Sequence, residues 1–359
     1  MIDTALLDEF AAEDIVAHPA ESAPGVWQAL ADRLPAPDAT TGELVALVRA
    51  VGRLAVPGPI AETLLVARPL LASGLEIPSG PITYAIGDLQ VRYAHPDSDS
   101  RVGPFGAAGT DRTLRVSGVL HRVPWARTAI AVVVLTRGPM GPVLFRLDPT
   151  AAALQPGTNI AGEPRDTLVL NDIEIPADRV LPIGGAVATE ARTRAALARA
   201  ALMAGAAQRC VELTVRHTTT REQFGRALRN FQAVKQEEAK LIEETALVSA
   251  AVTAAATALD KDGAAAEFGT AVAKAQASDS AAEITRIAHQ LHGAIGFTDL
   301  TPLRFATMRL WSWRDEDGTE GDWGRYLGRR VLRAGAAGLW SLLTSSGTSS
   351  PARASVPRA

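Results

Sequence analysis

The stretch Arg221-Glu-Gln-Phe-Gly-Arg-Ala-Leu-Arg-Asn-Phe-Gln-Ala-Val234, followed about sixty residues on by Gln290-Leu-His-Gly-Ala-Ile-Gly-Phe-Thr298, decides how this chain is read. Each segment interrupts a long run of helix formers. Gly293 and Gly296 let backbone end a helix or approach a ligand where a Cβ would stand in the way. Arg221 carries a planar, multiply donating guanidinium, the natural partner of a phosphate. Alone, the first segment is an ordinary helix end with a solvated arginine, and the second a helix end followed by a turn. Their spacing carries the argument.

Outward from these segments the chain changes character twice. Between residue 190 and about 343 helix formers dominate. Leu197, Ala201, Leu202, Gly205 and Ala206 make a seam of small and aliphatic residues that allows close helix packing. The pattern predicts helices over 190–218, 230–259 and 263–292, together an antiparallel bundle. Upstream, β-rich runs at 82–86, 89–93, 113–120, 128–135, 143–147 and 167–170 are separated by Gly, Pro, Asp and Asn. They predict an antiparallel barrel or sandwich. No helical pattern of ten or more residues separates them, which argues against a parallel βαβ sheet and a Rossmann site. Residues 1–79 read as helical, with Leu44, Leu47, Val48 and Val51 on one stripe, and Pro57, Pro59 and Pro69 bounding shorter helices. Residues 345–359 have almost nothing to bury and read as a disordered tail. The expected division is 1–79 helical, 80–187 β, 188–344 helical bundle, then the tail.

Taken together, these segments resemble the acyl-CoA dehydrogenases, flavoenzymes that desaturate acyl thioesters next to the carbonyl. The resemblance implies an α+β fold: an N-terminal helical domain, a middle antiparallel β-barrel and a C-terminal antiparallel helical bundle. Residues 171–182, with Pro176-Ala-Asp-Arg-Val180, are similar to the family's exit from the β module. The resemblance also implies FAD, with Arg221 reaching its pyrophosphate across a subunit interface. Gln223 and Gln232 offer amides and Phe224 packs beside the cofactor. Gln290, Leu291, Gly293 and Gly296 approach the adenosine half, and Thr319 joins the set. The implied substrate is an acyl-CoA, with an electron-transfer flavoprotein as the usual acceptor.

The chain departs from that pattern at the base. Family chemistry needs a carboxylate to take the α proton. The position some members use, on the first helix of the bundle, is Ala195 here. At the later position Asp317-Gly318-Thr319 replaces Glu-Gly-Thr, about one helical turn further along, with Glu316 beside it. Asp317 and Glu316 are the candidate catalytic carboxylates. An Asp is one methylene short of a Glu, and a misplacement of about 1 Å costs on the order of a hundredfold in rate. The segment that holds the flavin ring in the family has no match near 94–103, and Val123-Pro-Trp-Ala-Arg127 stands where a Trp-Ile-Thr strand is usual. Three readings follow. The chain resembles the short, base-lacking subunit of actinobacterial heteromeric acyl-CoA dehydrogenases that act on a bulky, steroid-derived acyl-CoA. Alternatively it is a self-sufficient homotetramer using Asp317 or Glu316, or a non-catalytic scaffold of the same fold.

Bulk properties exclude other classes. The 359 residues carry 36 basic and 39 acidic side chains, a net charge of −3 that gives no reason to expect nucleic acid. Arg325, Arg329, Arg330 and Arg333 read as a solvated face or a subunit contact. His289 and His292 lack a carboxylate pair, so no metal site is expected. The single cysteine, Cys210, excludes an internal disulfide and reads as a small buried helix residue. With no basic n-region before an apolar stretch, and stretches such as 129–135 too short to span a bilayer, no membrane partner and a cytoplasmic location are expected.

Overall fold

The computed structural model describes residues 7–11, 13–35, 38–93, 113–261 and 263–344. The tail and the 94–103 stretch lie outside them.

Amino-terminal helices α1 (Pro19–Leu30) and α2 (Thr41–Leu54) lead into a π-helical turn, Glu62–Ala67. Helix α2 begins on a reciprocal capping box: Thr40 Oγ1 accepts from the Glu43 N–H, and the Glu43 carboxylate accepts from the Thr40 N–H. Its apolar stripe, Val45, Leu47, Val48 and Val51, is buried.

Among the described residues eight strands follow: β1 (Ile82–Ile86), β2 (Gln90–Tyr93), β3 (Leu114–Pro124), β4 (Ala131–Gly138), β5 (Gly141–Leu147), β6 (Ala153–Gln155), β7 (Arg165–Ile175) and β8 (Val180–Pro182). They form two four-stranded sheets, ordered β1-β4-β5-β8 and β2-β3-β7-β6. Pairing is antiparallel except for β1 with β4, between which the chain crosses to the second sheet as β2 and β3. Strand β4 explains why its sequence reads as an unbroken apolar run. Ala131, Val133 and Leu135 face the helices, while Val132 and Val134 face the opposite sheet.

The bundle comprises α3 (Gly185–Thr220), α4 (Gln232–Leu259), α5 (Gly263–His292), α6 (Leu303–Arg314) and α7 (Glu320–Thr344), the last interrupted at Gly335, where φ is 63°. Helix α4 is long and apolar enough to cross a bilayer, yet Leu241, Val248, Val252 and Ala255 are buried within the bundle. The small-residue seam of α3 has an unforeseen partner: it receives α2. A Cβ on Gly205 would stand 2.0 Å from the Arg49 carbonyl oxygen, and one on Gly52 would stand 2.1 Å from that of Leu202. The two glycines let the helices cross backbone to backbone. Cys210 is a free, buried thiol on the same helix, pushed up to about 12 by burial.

Candidate functional site

Two features stand out, one exposed at an end of the bundle and one buried where its helices meet the β module. At the exposed end, α3 stops at Thr220, and Glu222–Gln223 pairs with Arg226–Ala227 in a hairpin absent from the sequence reading. Its two-residue turn has Phe224 at φ 52° and Gly225 at φ 76°, the left-handed pair of a type I′ turn. Glycine takes this conformation freely, whereas a bulky Phe adopts it at a cost of order 1–3 kcal/mol. The Phe224 ring, 92% exposed, meets Phe231 edge to face, and Arg226 lies 4.0 Å above Phe231. Arg221, Gln223 and Gln232 are exposed, and the Arg221 guanidinium has no ion-pair partner among the described residues.

The second motif comes to the same end of the bundle. His217, one turn before Arg221, stacks on His292, the residue before Gly293, with ring centroids 4.5 Å apart. Gln290 is exposed, and Leu291 is half-buried against the main core. The two glycines differ in purpose. Gly293 has φ 64° and open space where a Cβ would stand, as at a helix C-terminus. Gly296 is buried, and a Cβ there would meet His292 at 2.9 Å and His289 Nδ1 at 3.2 Å, so its missing side chain serves the turn's own packing. Phe297 and Leu300, 72% and 80% exposed, rim this end with apolar surface.

Asp317 and Glu316 lie elsewhere, in a buried network joining all parts of the chain. Arg165, at the start of β7, grips Glu316 with two bonds of 2.8 Å, from Nε and Nη2. Arg199 of α3 reaches Glu316 at 3.3 Å, Asp317 at 3.0 Å and Glu62 of the π turn at 3.2 Å. Tyr84 of β1 donates to the other Asp317 oxygen at 2.6 Å. Glu163 extends the network, accepting from Trp313 Nε1 at 2.8 Å and pairing with Arg309 at 3.1 Å. Burial pushes the Glu316 carboxyl up, but Arg165 and Arg199 outweigh it and hold it at about 2. A carboxylate so stabilised is a weak base. Burial and then the neighbouring Asp317 push the Tyr84 phenol well above its ordinary range.

The turn carrying these carboxylates is fastened from behind. The buried Lys274 of α5 donates to the Arg314 and Gly318 carbonyls, at 2.8 and 2.9 Å, and to Ser278 Oγ at 3.0 Å; burial lowers it to about 8. Thr319 is occupied as the cap of α7, exchanging hydrogen bonds with Asp322. Asp317 borders two cavities. One of about 240 Å³ lies over Tyr84, His121, Arg122, Arg165 and Arg199; the other, of about 440 Å³, is lined by Ile86, Arg192, Ala195, Trp323 and Tyr326. The two family positions for a base, Ala195 and Asp317, thus face one cavity. Sequence reading missed Tyr84, Arg165, Arg199 and Lys274. Arg199 had a usable signal: a lone charge one helical turn past Ala195, inside an otherwise apolar seam.

The fit of these residues to FAD divides along the molecule. The exposed guanidinium of Arg221 and the amides of Gln223 and Gln290 suit the charge and donor needs of a pyrophosphate and an adenosine. Beside the β module, Asp317 and Glu316 are already engaged by Tyr84, Arg165 and Arg199, and Glu62 Oε1 is buried without a hydrogen bond.

Residues 184–320 match the acyl-CoA dehydrogenase C-terminal domain family. The chain is similar to acyl-CoA dehydrogenase FadE27 of Mycobacterium tuberculosis, 30% identical over 200 residues that cover 54% of this chain and 53%, about half, of that relative. Its fold is that of a chain in the ChsE4-ChsE5 complex from Mycobacterium tuberculosis, with a TM-score of 0.78 at 22% identity over 93% of this chain and 96% of that one. It is also that of a glutaryl-CoA dehydrogenase from Mycobacterium smegmatis solved with FADH2, with a TM-score of 0.72 at 15% identity over 93% and 94% of the two chains. Residues 184–320 are thus an acyl-CoA dehydrogenase C-terminal domain, in a chain that has the fold of the acyl-CoA dehydrogenase structures it matches.

Proposed function

We propose that this chain is the subunit of a heteromeric acyl-CoA dehydrogenase that contributes half of an FAD site and leaves proton abstraction to a partner chain of the same fold. The observation that carries this reading is the state of the carboxylates. Ala195 supplies none, Glu316 is held by Arg165 and Arg199, and both Asp317 oxygens are taken by Tyr84 and Arg199. By contrast, Arg221 and its hairpin stand open at a surface rimmed by Phe224, Phe297 and Leu300. Surface of that composition suits a protein partner.

In this reading Arg221 holds the pyrophosphate, Gln223, Gln232 and Gln290 supply amides, and the turn at Gly293 lies along the adenosine. Bound FAD supplies the acceptor for the hydride leaving the substrate β carbon. The chain's own part is to bind and orient, while the apolar rim closes against the partner and excludes water. The substrate is a bulky acyl-CoA, a steroid-derived acyl group being the first to test, with an electron-transfer flavoprotein as acceptor. Expression alone and with a longer relative bearing Glu at the helix position tests the reading. A colourless chain that becomes a yellow heteromer agrees; a yellow homotetramer from this chain alone overturns it.

One observation favours the second reading, a self-sufficient homotetramer: Asp317 faces both cavities. That reading requires Asp317→Asn to abolish turnover by the chain alone.

A further inference from the structure

The cofactor end gathers titratable rings that the reading above leaves without a role. His217 stacks on His292 with planes 20° apart, and His289 stacks on Phe297 at 4.2 Å. Two of the rings have fixed tautomers. His292 Nδ1 lies 2.8 Å from the Ala288 carbonyl, which only accepts, so Nδ1 carries the proton and Nε2 is bare. His289 Nε2 lies 3.1 Å from Thr307 Oγ1, whose own hydroxyl donates to backbone carbonyls of α6; His289 Nε2 is therefore the donor. Neither nitrogen of His217 has a hydrogen-bond partner among the described residues.

His217 is also short of negative charge. It faces His292 and, behind it, His289 from α5, and Arg221 from the end of its own helix; Arg216 beside it is exposed. The carboxylate on the α4 side, Glu238, is bonded to Thr218 and paired with Arg229 at 3.7 Å. Burial, then His292 and Arg221, lower the proton affinity of His217 in this state. A ligand with two negative charges at Arg221 supplies the missing opposite charge and reverses the balance.

We propose that His217 is a second cationic contact for the diphosphate held by Arg221, taking one proton from solvent onto its ring as the ligand binds. This rests on the reading that Arg221 holds the cofactor's pyrophosphate, and extends it to a pH-dependent affinity for diphosphate diesters. The stack on His292 positions the ring; the proton makes it a ligand. One additional favourable charge contact, formed only with protonated His217, strengthens binding as pH falls.

The test is calorimetric titration of the full chain, assembled with its partner chain and freed of flavin, with ADP-ribose, whose bridged pyrophosphate does not itself titrate near neutrality. Titrations at pH 6 to 8, in two buffers of different ionisation heat, count the protons taken up. Expected are net uptake near neutral pH and affinity about fivefold tighter at pH 6 than at pH 8, the effect of a one-unit pKa rise on a histidine. His217→Phe keeps a ring in the stack but accepts no proton; it should bind with the weaker, pH-independent affinity. Binding by the unmodified chain without proton uptake overturns the proposal whether or not the variant folds, as does pH dependence that survives in a folded His217→Phe. Loss of binding in Arg221→Ala supports the underlying reading. If neither the unmodified chain nor Arg221→Ala binds, the Arg221 assignment itself fails, and this proposal with it.

Discussion

At the scale of single residues, buried charge decides more than residue type. Glu316 and Asp317 occupy the place where a base is looked for, yet what surrounds them sets their chemistry. Glu316 is an anion whose charge is compensated twice over. Removing one partner of a buried pair leaves the other uncompensated, at a cost of about 3–5 kcal/mol. Arg165→Met should therefore lower stability in urea denaturation by up to that amount, with Glu163 and Glu316 each losing one of two cations. The same group gives an acid limb. Its folded pKa of about 2 lies below an unfolded value of roughly 4.3, so its contribution is full above the unfolded value and fades as pH falls toward the folded one. That difference corresponds to about 3 kcal/mol, and Glu316→Gln should remove this acid dependence from the stability profile. None of this was legible in Trp313-Arg-Asp-Glu-Asp-Gly318, which reads equally well as a solvated acidic turn. The arginines that answer it lie 118 and 151 residues away.

At the scale of elements, the helix crossing of α2 on α3 and the hairpin after α3 show what local pattern conveys. Small residues along α3 announced a close approach, because only they admit a neighbouring backbone. Which helix approaches was decided by the hydrophobic stripe of α2 needing cover. Gly205→Ala should destabilise by at least about 1–3 kcal/mol, since the new methyl meets immovable backbone at 2.0 Å. Gly328→Ala on α7, where a Cβ meets nothing within 4 Å, should instead stabilise by about 0.5–1 kcal/mol. Thermal denaturation of both variants checks the opposite signs. The Glu222–Ala227 hairpin escaped sequence reading because two paired residues a side give no periodicity, and because Phe224 is an unlikely occupant of a left-handed turn position.

At the scale of the whole molecule, the chain separates what holds it together from what it offers to others. The buried network ties Glu62 of the amino-terminal part, Tyr84 and Arg165 of the β module, and Arg199, Arg309 and Glu316 of the bundle into one joint. The Arg221 end takes no part in it. Arg221→Ala should accordingly reduce flavin retention in the assembled protein, read from the visible spectrum, while leaving the unfolding free energy of the flavin-free chain in urea within about 0.5 kcal/mol. Sequence alone determined the order of helices, β module and bundle, because hydrophobic periodicity is a local property that survives without a structure. It also brought the Arg221 and Gln290 segments to notice through spacing and residue chemistry. Only the tertiary structure decided that Ala195 and Asp317 share a cavity, that Arg165 and Arg199 take up the acidic turn, and that His217 stacks on His292. The physical reason is common to all three: a side chain's charge state and reach depend on which distant groups share its burial, and no local pattern in the chain records those neighbours.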